Sequence, residues 1–174
     1  MIQSDIKKIV EDLIETFLNA GKISLDLRKK GLTKEIKSDN TPVSNGDLEV
    51  NKILTKRISE LTPNIPIVSE ETSENKSRDN LENFWLIDPI DGTYDYINNL
   101  DEFTINAGLI IQKKPAAGLI YAPAKNRMFY SYGDDLSFEL INGEPIKLDH
   151  SKNFDKNDIK FVSYSNKIKP EINE

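Results

Sequence analysis

Apolar residues recur along the first stretch of the chain at helical spacing. Ile6, Ile9, Val10, Leu13, Ile14, Phe17 and Leu18 stand three and four positions apart, which defines one apolar helical face. Gly21 is expected to end that helix. Gly31 to Asn45 is polar and turn-rich, with Thr33 to Lys37 as a strand leading into the turn signal Asp39-Asn40-Thr41-Pro42. Helical spacing resumes at Asp47, Leu48, Val50, Ile53, Leu54, Ile58 and Leu61, predicting a helix that begins near Ser44 or Asn45. Pro63 ends it. Ile65 to Val68 reads as a short buried strand closed by Ser69-Glu70-Glu71, and Thr72 to Asn83 as a charged loop. The apolar run from Phe84 to Ile87 is the next strand.

Strand-like segments then crowd together: Phe103 to Ile111, Ala116 to Tyr121, Arg127 to Tyr132, and Ser137 to Ile141. Links this short join antiparallel neighbours. Asn142-Gly143 predicts one more tight turn, and Lys160 to Tyr164 a last strand before a polar end. Helices first and an antiparallel sheet second give an α+β layered fold. With 174 residues the chain is long enough for one domain with a real core.

Charge and composition narrow the chemistry. The net charge is −6, and the 23 basic residues are dispersed among 29 acidic ones. That argues against a nucleic acid polymer as partner, because phosphate backbones demand clustered Lys and Arg. The absence of cysteine excludes a disulfide scaffold, a thiolate nucleophile and a cysteine zinc site. It suits a reducing compartment, and a cytoplasmic location is expected. His150 stands alone in a polar stretch, so no two-histidine metal site exists within the chain. No segment approaches the ~18 consecutive apolar residues of a membrane span, and the N-terminus lacks a signal-peptide core. Carboxylates, hydroxyls, lysines and backbone remain, which point to Mg²⁺, Mn²⁺ or Ca²⁺.

The run Trp85-Leu86-Ile87-Asp88-Pro89-Ile90-Asp91-Gly92-Thr93 concentrates that chemistry. An apolar strand ends in two carboxylates, and a Gly-Thr pair leads into a short helix from Tyr94 to Leu100. Carboxylates hold hard cations by oxygen, and N–H groups at a helix start favour an anion. A magnesium-dependent phosphatase site is the expectation. Asp47 and the Glu70-Glu71 pair are further candidates. Each has a plain alternative: Asp47 in a helix's first turn, Glu70-Glu71 as an exposed loop, Asp88 and Asp91 as turn caps, Gly92 as a turn residue. If the strands ending at Val68 and Ile87 are neighbours, Glu70 and Asp88 meet at one end of the sheet. Carboxylates crowded in that way repel one another unless a cation joins them. Trp85, three residues from Asp88, is expected to report cation occupancy by its fluorescence.

The pattern Asp88-Pro89-Ile90-Asp91-Gly92-Thr93 resembles the signature of the inositol monophosphatase superfamily. Asp39-Asn40-Thr41-Pro42-Val43-Ser44 followed by Asp47 is similar to its upstream segment, and Ile67-Val68-Ser69-Glu70-Glu71 to its glutamate motif. Phe103-Thr104-Ile105-Asn106 and Gly118-Leu119-Ile120-Tyr121-Ala122-Pro123 resemble the strands that follow. The nearest branch is the 3′(2′),5′-bisphosphate nucleotidase (CysQ-type) one. The resemblance implies a lithium-sensitive, Mg²⁺-dependent hydrolase of small phosphorylated metabolites. Its substrate would be adenosine 3′,5′-bisphosphate, a by-product of sulfate activation, from which it would remove the 3′-phosphate. It also implies the first lobe of a sugar-phosphatase-like αβαβα sandwich. By position, Glu70, Asp88 and Asp91 would bind metal through carboxylates and Ile90 through its backbone carbonyl. Asp47 and Thr93 would orient and deprotonate the attacking water. Gly92 and Thr93 would offer N–H groups to the phosphate, with Glu71 behind the ligands.

Two departures stand out. Tyr94 sits where nucleotidase relatives carry a lysine, and Asn98 and Asn99 where basic residues often follow. An inositol-phosphate or sugar-phosphate phosphatase therefore stays open as an alternative. The Trp-Asp-x-Ala-Ala-Gly motif of the family's second lobe does not occur, although Ser163-Tyr164-Ser165-Asn166 resembles the strand entering it. Residues 1–160 are thus expected to form a metal-binding lobe and 161–174 the start of a truncated second one. A fragment, a split gene product or a decayed gene would each fit. Impaired activity in isolation is expected, with self-association or a complementing C-terminal lobe as partner. An inactive remnant that binds metal or phosphate is the rival reading, and a plain structural domain is the third.

Overall fold

The computed structural model describes residues 2–37, 41–72 and 81–149. The first apolar stripe forms α1 (Gln3–Lys30), which buries Ile6, Val10, Leu13, Phe17 and Ala20. The helix does not stop at Gly21. A Cβ at that position would run into the ring of Tyr121, so the glycine marks a close approach to the sheet and not a terminus. The end comes at Gly31, after Arg28, Lys29 and Lys30 in the last turn, where positive charge complements the helix dipole.

A small antiparallel pair follows, β1 (Lys34–Ile36) and β2 (Pro42–Ser44). The Lys37 N–H donates to the Thr41 carbonyl across its open end, where the predicted turn lies; Asp39 and Asn40 fall outside the described residues. Then α2 (Asn45–Leu61) begins at Ser44, whose side chain accepts the Gly46 N–H. Thr62 caps its far end, just before Pro63. Val50, Leu54 and Ile58 line its buried face. Burying each such side chain contributes ~1.5–3 kcal/mol.

Among the described residues the main sheet has seven strands in sequence order. They are β3 (Ile67–Ser69), β4 (Phe84–Asp91), β5 (Thr104–Ile111), β6 (Lys114–Ala122), β7 (Arg127–Ser131), β8 (Ser137–Ile141) and β9 (Glu144–Lys147). Neighbours from β4 to β9 are antiparallel. The pair β3–β4 is parallel, with Ser69 opposite Ile87. A short helix, α3 (Thr93–Ile97), lies between β4 and β5, shorter than the predicted Tyr94 to Leu100. β9 follows the predicted Asn142-Gly143 turn. The expected strand at Lys160 to Tyr164, the 161–174 segment and His150 lie outside the described residues.

Both long helices cover one face of this sheet. Trp85, Ile87, Ile105, Ala107, Leu109 and Leu119 interlock there with Val10, Leu13, Phe17, Leu54 and Ile58. The result is the α+β layering expected from the sequence. Among the described residues, no helix is long and apolar enough to cross a membrane.

Candidate active site at the ends of two parallel strands

β4 does not stop at Ile87 as expected. It continues through both aspartates to Asp91. In a regular strand, residues three apart point to opposite faces. Here the ladder slips: Asp88 lies opposite Asn106 and Asp91 opposite Thr104, so three steps on β4 match two on β5. This extra residue restores parity and puts both carboxylates on the same face. Pro89 occupies the irregular stretch, where a missing N–H costs least.

Parallel pairing brings Glu70 to the same end. Its N–H donates to the Ile87 carbonyl at 3.1 Å. Its carboxylate lies within hydrogen-bond reach of Asp88. Burial first, then the charges of Glu70 and Asp91, push the Asp88 carboxyl up to about 7. Glu71 is more deeply placed, its side chain 4% exposed, and it holds Lys37 at 2.9 Å. Burial, helped by the charges of Asp47 and Glu70, pushes the Glu71 carboxyl up although Lys37 draws it down. Lys37 also reaches Glu70 at 3.8 Å. Its own burial opposes its charge, but the acidic neighbours outweigh that and raise its pKa.

The N-terminal end of α2 supplies the other half. Asp47 is fully buried. One of its oxygens accepts from the Ser44 N–H at 2.8 Å and the Ser44 hydroxyl at 2.6 Å. The other accepts from the Thr93 hydroxyl at 3.0 Å. Asp47 therefore caps its helix and also reaches the corner, so the plain and functional readings coexist. The Thr93 hydroxyl lies equally close to the Ile90 carbonyl, at 3.0 Å, while the Ile90 side chain is in the core. One turn along α2, Asn51 Oδ1 accepts from the Ser69 hydroxyl at 2.7 Å. Ser69 Oγ in turn accepts from the Glu71 N–H at 3.3 Å. One helix thus fixes the ends of both strands.

Gly92 links the two halves in a left-handed conformation, φ 92°. A Cβ there would meet the Glu102 carbonyl oxygen at 2.7 Å. The need for glycine comes from this crowding by the chain's own backbone, before any anion is considered.

Sequence reasoning placed Asp47, Glu70, Glu71, Asp88, Ile90, Asp91, Gly92 and Thr93 here and missed Lys37, Asn51, Ser69 and Asn106. Two of the four had a signal: Asn51 sits one helical turn from Asp47, and Asn106 interrupts an apolar strand. Asn106 Nδ2 donates to Asp91 at 3.2 Å. The Trp85 side chain is buried on the helix side of the sheet. Its indole N–H donates to Thr62 Oγ1 at 3.1 Å, at the opposite end of α2 from Asp47. Calorimetry is therefore the direct readout of the corner.

Lys37→Met is expected to lower the melting temperature of the metal-free chain at low salt. It leaves Glu71 and Glu70 without their cation at a mostly buried pair, a cost of roughly 2 kcal/mol. Thermal denaturation in EDTA checks this; an unchanged midpoint would show that the pair contributes nothing.

The donor set suits a hard divalent cation. It consists of oxygen atoms only, and two buried side-chain oxygens among the described residues, Asp88 Oδ1 and Asn106 Oδ1, have no hydrogen-bond partner. Unpaired buried acceptors call for a cation or water. Among the described residues, no three carboxylate or histidine side chains are drawn together as a finished cation cage. Glu70 and Asp91 are both exposed.

Helices layered on a mostly antiparallel sheet, with an acidic corner at the end of its parallel pair, make the arrangement of the inositol monophosphatase fold. The solved IMPase of Thermotoga maritima has this fold, with a TM-score of 0.65 and 25% identity, covering 79% of this chain and 52% of that one. The model of the inositol monophosphatase family matches residues 5–172, and the chain belongs to that family. Among curated relatives, the 3′(2′),5′-bisphosphate nucleotidase CysQ of Haemophilus influenzae is 35% identical over 144 residues, 82% of this chain and 51% of the relative. The protein of the same name from Aggregatibacter actinomycetemcomitans is 34% identical over 142 residues, 80% of this chain and 53% of the relative. The chain spans about half the length of the curated relatives it matches.

Proposed function

We propose that this chain is the metal-binding lobe of a Mg²⁺-dependent phosphomonoesterase that acts on small phosphate esters, with the 3′-phosphate of adenosine 3′,5′-bisphosphate as the group removed. One observation carries the reading: Glu70, just after β3, and Asp88 and Asp91, both on β4, lie at one end of the sheet, where the Thr93 hydroxyl that follows β4 donates to the buried Asp47. The nucleotidase names of the relatives support the substrate.

Glu70, Asp88 and Asp91 would hold Mg²⁺ through carboxylates and Ile90 through its carbonyl, which has a second lone pair beyond its contact with Thr93. A bound Mg²⁺ supplies a more acidic water and neutralises charge on the phosphate oxygens. The protein's own part is proton handling and placement. Thr93, held by Asp47, would orient the attacking water and take a proton from it while giving its own to the Asp47 carboxylate. The water oxygen bonds to phosphorus as the bond to the ester oxygen breaks, and that oxygen takes up a proton from solvent. Fixed by Ser44 from the other side, Asp47 cannot turn away. The N–H groups of Gly92 and Thr93 receive the phosphate. Glu71 keeps Lys37 at the back of the corner.

A second reading keeps the chemistry and changes the substrate. Tyr94, 63% exposed, and the exposed Asn98 and Asn99 offer no positive charge for a second phosphate. That favours an inositol or sugar monophosphate.

Calorimetric titration of the chain with Mg²⁺ tests the lobe, and phosphate release from adenosine 3′,5′-bisphosphate and inositol 1-phosphate tests the substrate. Mg²⁺ binding with very little turnover is expected for this chain alone, because relatives are about twice its length. Absence of Mg²⁺ binding overturns the reading, and robust turnover overturns the need for a complementing half.

A further inference from the structure

Asn106 has no part in the scheme above, yet it lies at its centre. On β5, Ile105, Ala107 and Leu109 face the helices and the core. The alternate positions face the other way, and Asn106 stands there directly across the ladder from Asp88. Its amide nitrogen donates to Asp91 Oδ2 at 3.2 Å. Its amide oxygen is buried and without a partner, and so is Asp88 Oδ1 on the neighbouring strand.

The orientation of the amide follows from charge. Turned around, the amide would set its oxygen against the Asp91 carboxylate, two acceptors with no proton between them. Asp91 therefore fixes the nitrogen towards itself and leaves the oxygen as the unpaired end of the amide. Two buried acceptors on the same rung are costly when no group donates to either. A leucine in place of Asn106 would remove one of them, and β5 is otherwise apolar at Ile105, Ala107, Leu109 and Ile110.

We propose that Asn106 is a positioning residue of the cation pocket, an inference that rests on the Mg²⁺ reading above. Its amide nitrogen holds the Asp91 carboxylate in place beside Asp88. Its amide oxygen adds a neutral donor for the cation or for a water bound to it. A neutral oxygen adds coordination without adding to the repulsion among Glu70, Asp88 and Asp91.

The test compares the full chain with Asn106→Leu and Asn106→Asp by Mg²⁺ calorimetry and by melting in EDTA. Asn106→Leu is expected to weaken Mg²⁺ binding about tenfold or more, while its melting temperature in EDTA is unchanged or higher. Asn106→Asp is expected to melt lower in EDTA and to recover with Mg²⁺, which it retains. Should Asn106→Leu fail to fold, Asn106→Ser takes its place with the same loss of affinity expected. Parent-like Mg²⁺ affinity in the leucine or serine variant overturns the inference while the Mg²⁺ reading stands. So does a lower melting temperature of the leucine variant in EDTA, because that marks a structural role. No Mg²⁺ binding by the parent chain overturns both.

Discussion

Asp88→Asn is expected to raise the melting temperature of the metal-free chain at about pH 8 and to abolish its response to Mg²⁺. The Asp88 carboxyl titrates at about 7 in the folded chain, against an ordinary value of 3.8. A raised acid stabilises the fold relatively at low pH, where both states are protonated. From 3.8 upward the unfolded chain ionises while the folded one keeps its proton, and stability falls until Asp88 ionises near 7. The cost is complete above that value and absent below the ordinary one. Asparagine removes the cost, so its advantage grows across that window and then levels off. The full shift would suggest several kcal/mol, but Asp88 is only half-buried and water screens it. A gain of roughly 1–2 kcal/mol, about 3–6 °C, is the expected size. In millimolar Mg²⁺ the order reverses, because the parent gains binding energy and the variant does not. Melting curves of both proteins across this range, with EDTA or Mg²⁺, decide the matter. Equal midpoints at all pH values would show that crowding at the corner is negligible.

Gly92→Ala is expected to be the more damaging change, for fold and site together. At φ 92° an alanine is strained, and its Cβ would lie 2.7 Å from the Glu102 carbonyl oxygen, which is backbone and cannot swing aside. Strain and overlap together come to roughly 3 kcal/mol. Gly31 separates the two terms. Its φ is 94°, but a Cβ there meets nothing within 4 Å, so Gly31→Ala is expected to cost only about 1 kcal/mol. Urea denaturation of the two variants measures the difference, and Mg²⁺ calorimetry shows whether the Asp91–Thr93 corner has moved with it. Equal losses in the two variants would mean that the Glu102 contact relaxes freely.

Much of this architecture was legible because local pattern and global packing agree. The stripes of α1 and α2 face the core as their spacing predicts, and the short links of β5 to β9 leave no pairing but antiparallel. The family motifs carried Asp47, Glu70, Asp88 and Asp91 to one corner. What escaped was set by contacts distant in sequence. Gly21 read as a stop because the ring of Tyr121, a hundred residues later, cannot be foreseen from the helix. Lys37 meets Glu71 only through the register of separate elements. Trp85 is close to Asp88 along the strand, yet its ring turns to the helix side, and strand parity decides that. The extra residue between Asp88 and Asp91 was hidden for a similar reason, since a bulge is defined by the partner strand.

The parallel pairing of β3 with β4 has a consequence for how the chain comes to work. The ladder from β5 to β9 closes through short links, and such hairpins form early and locally. β3 can join β4 only after the connection from Ser69 to Phe84 has looped back, a slower and more entropically demanding closure. The corner is thus expected to be fastened after the β5–β9 hairpins. A cation that bridges Glu70 and Asp88 would act as a latch on that later step, so refolding in Mg²⁺ should differ from refolding in EDTA chiefly in its slowest phase.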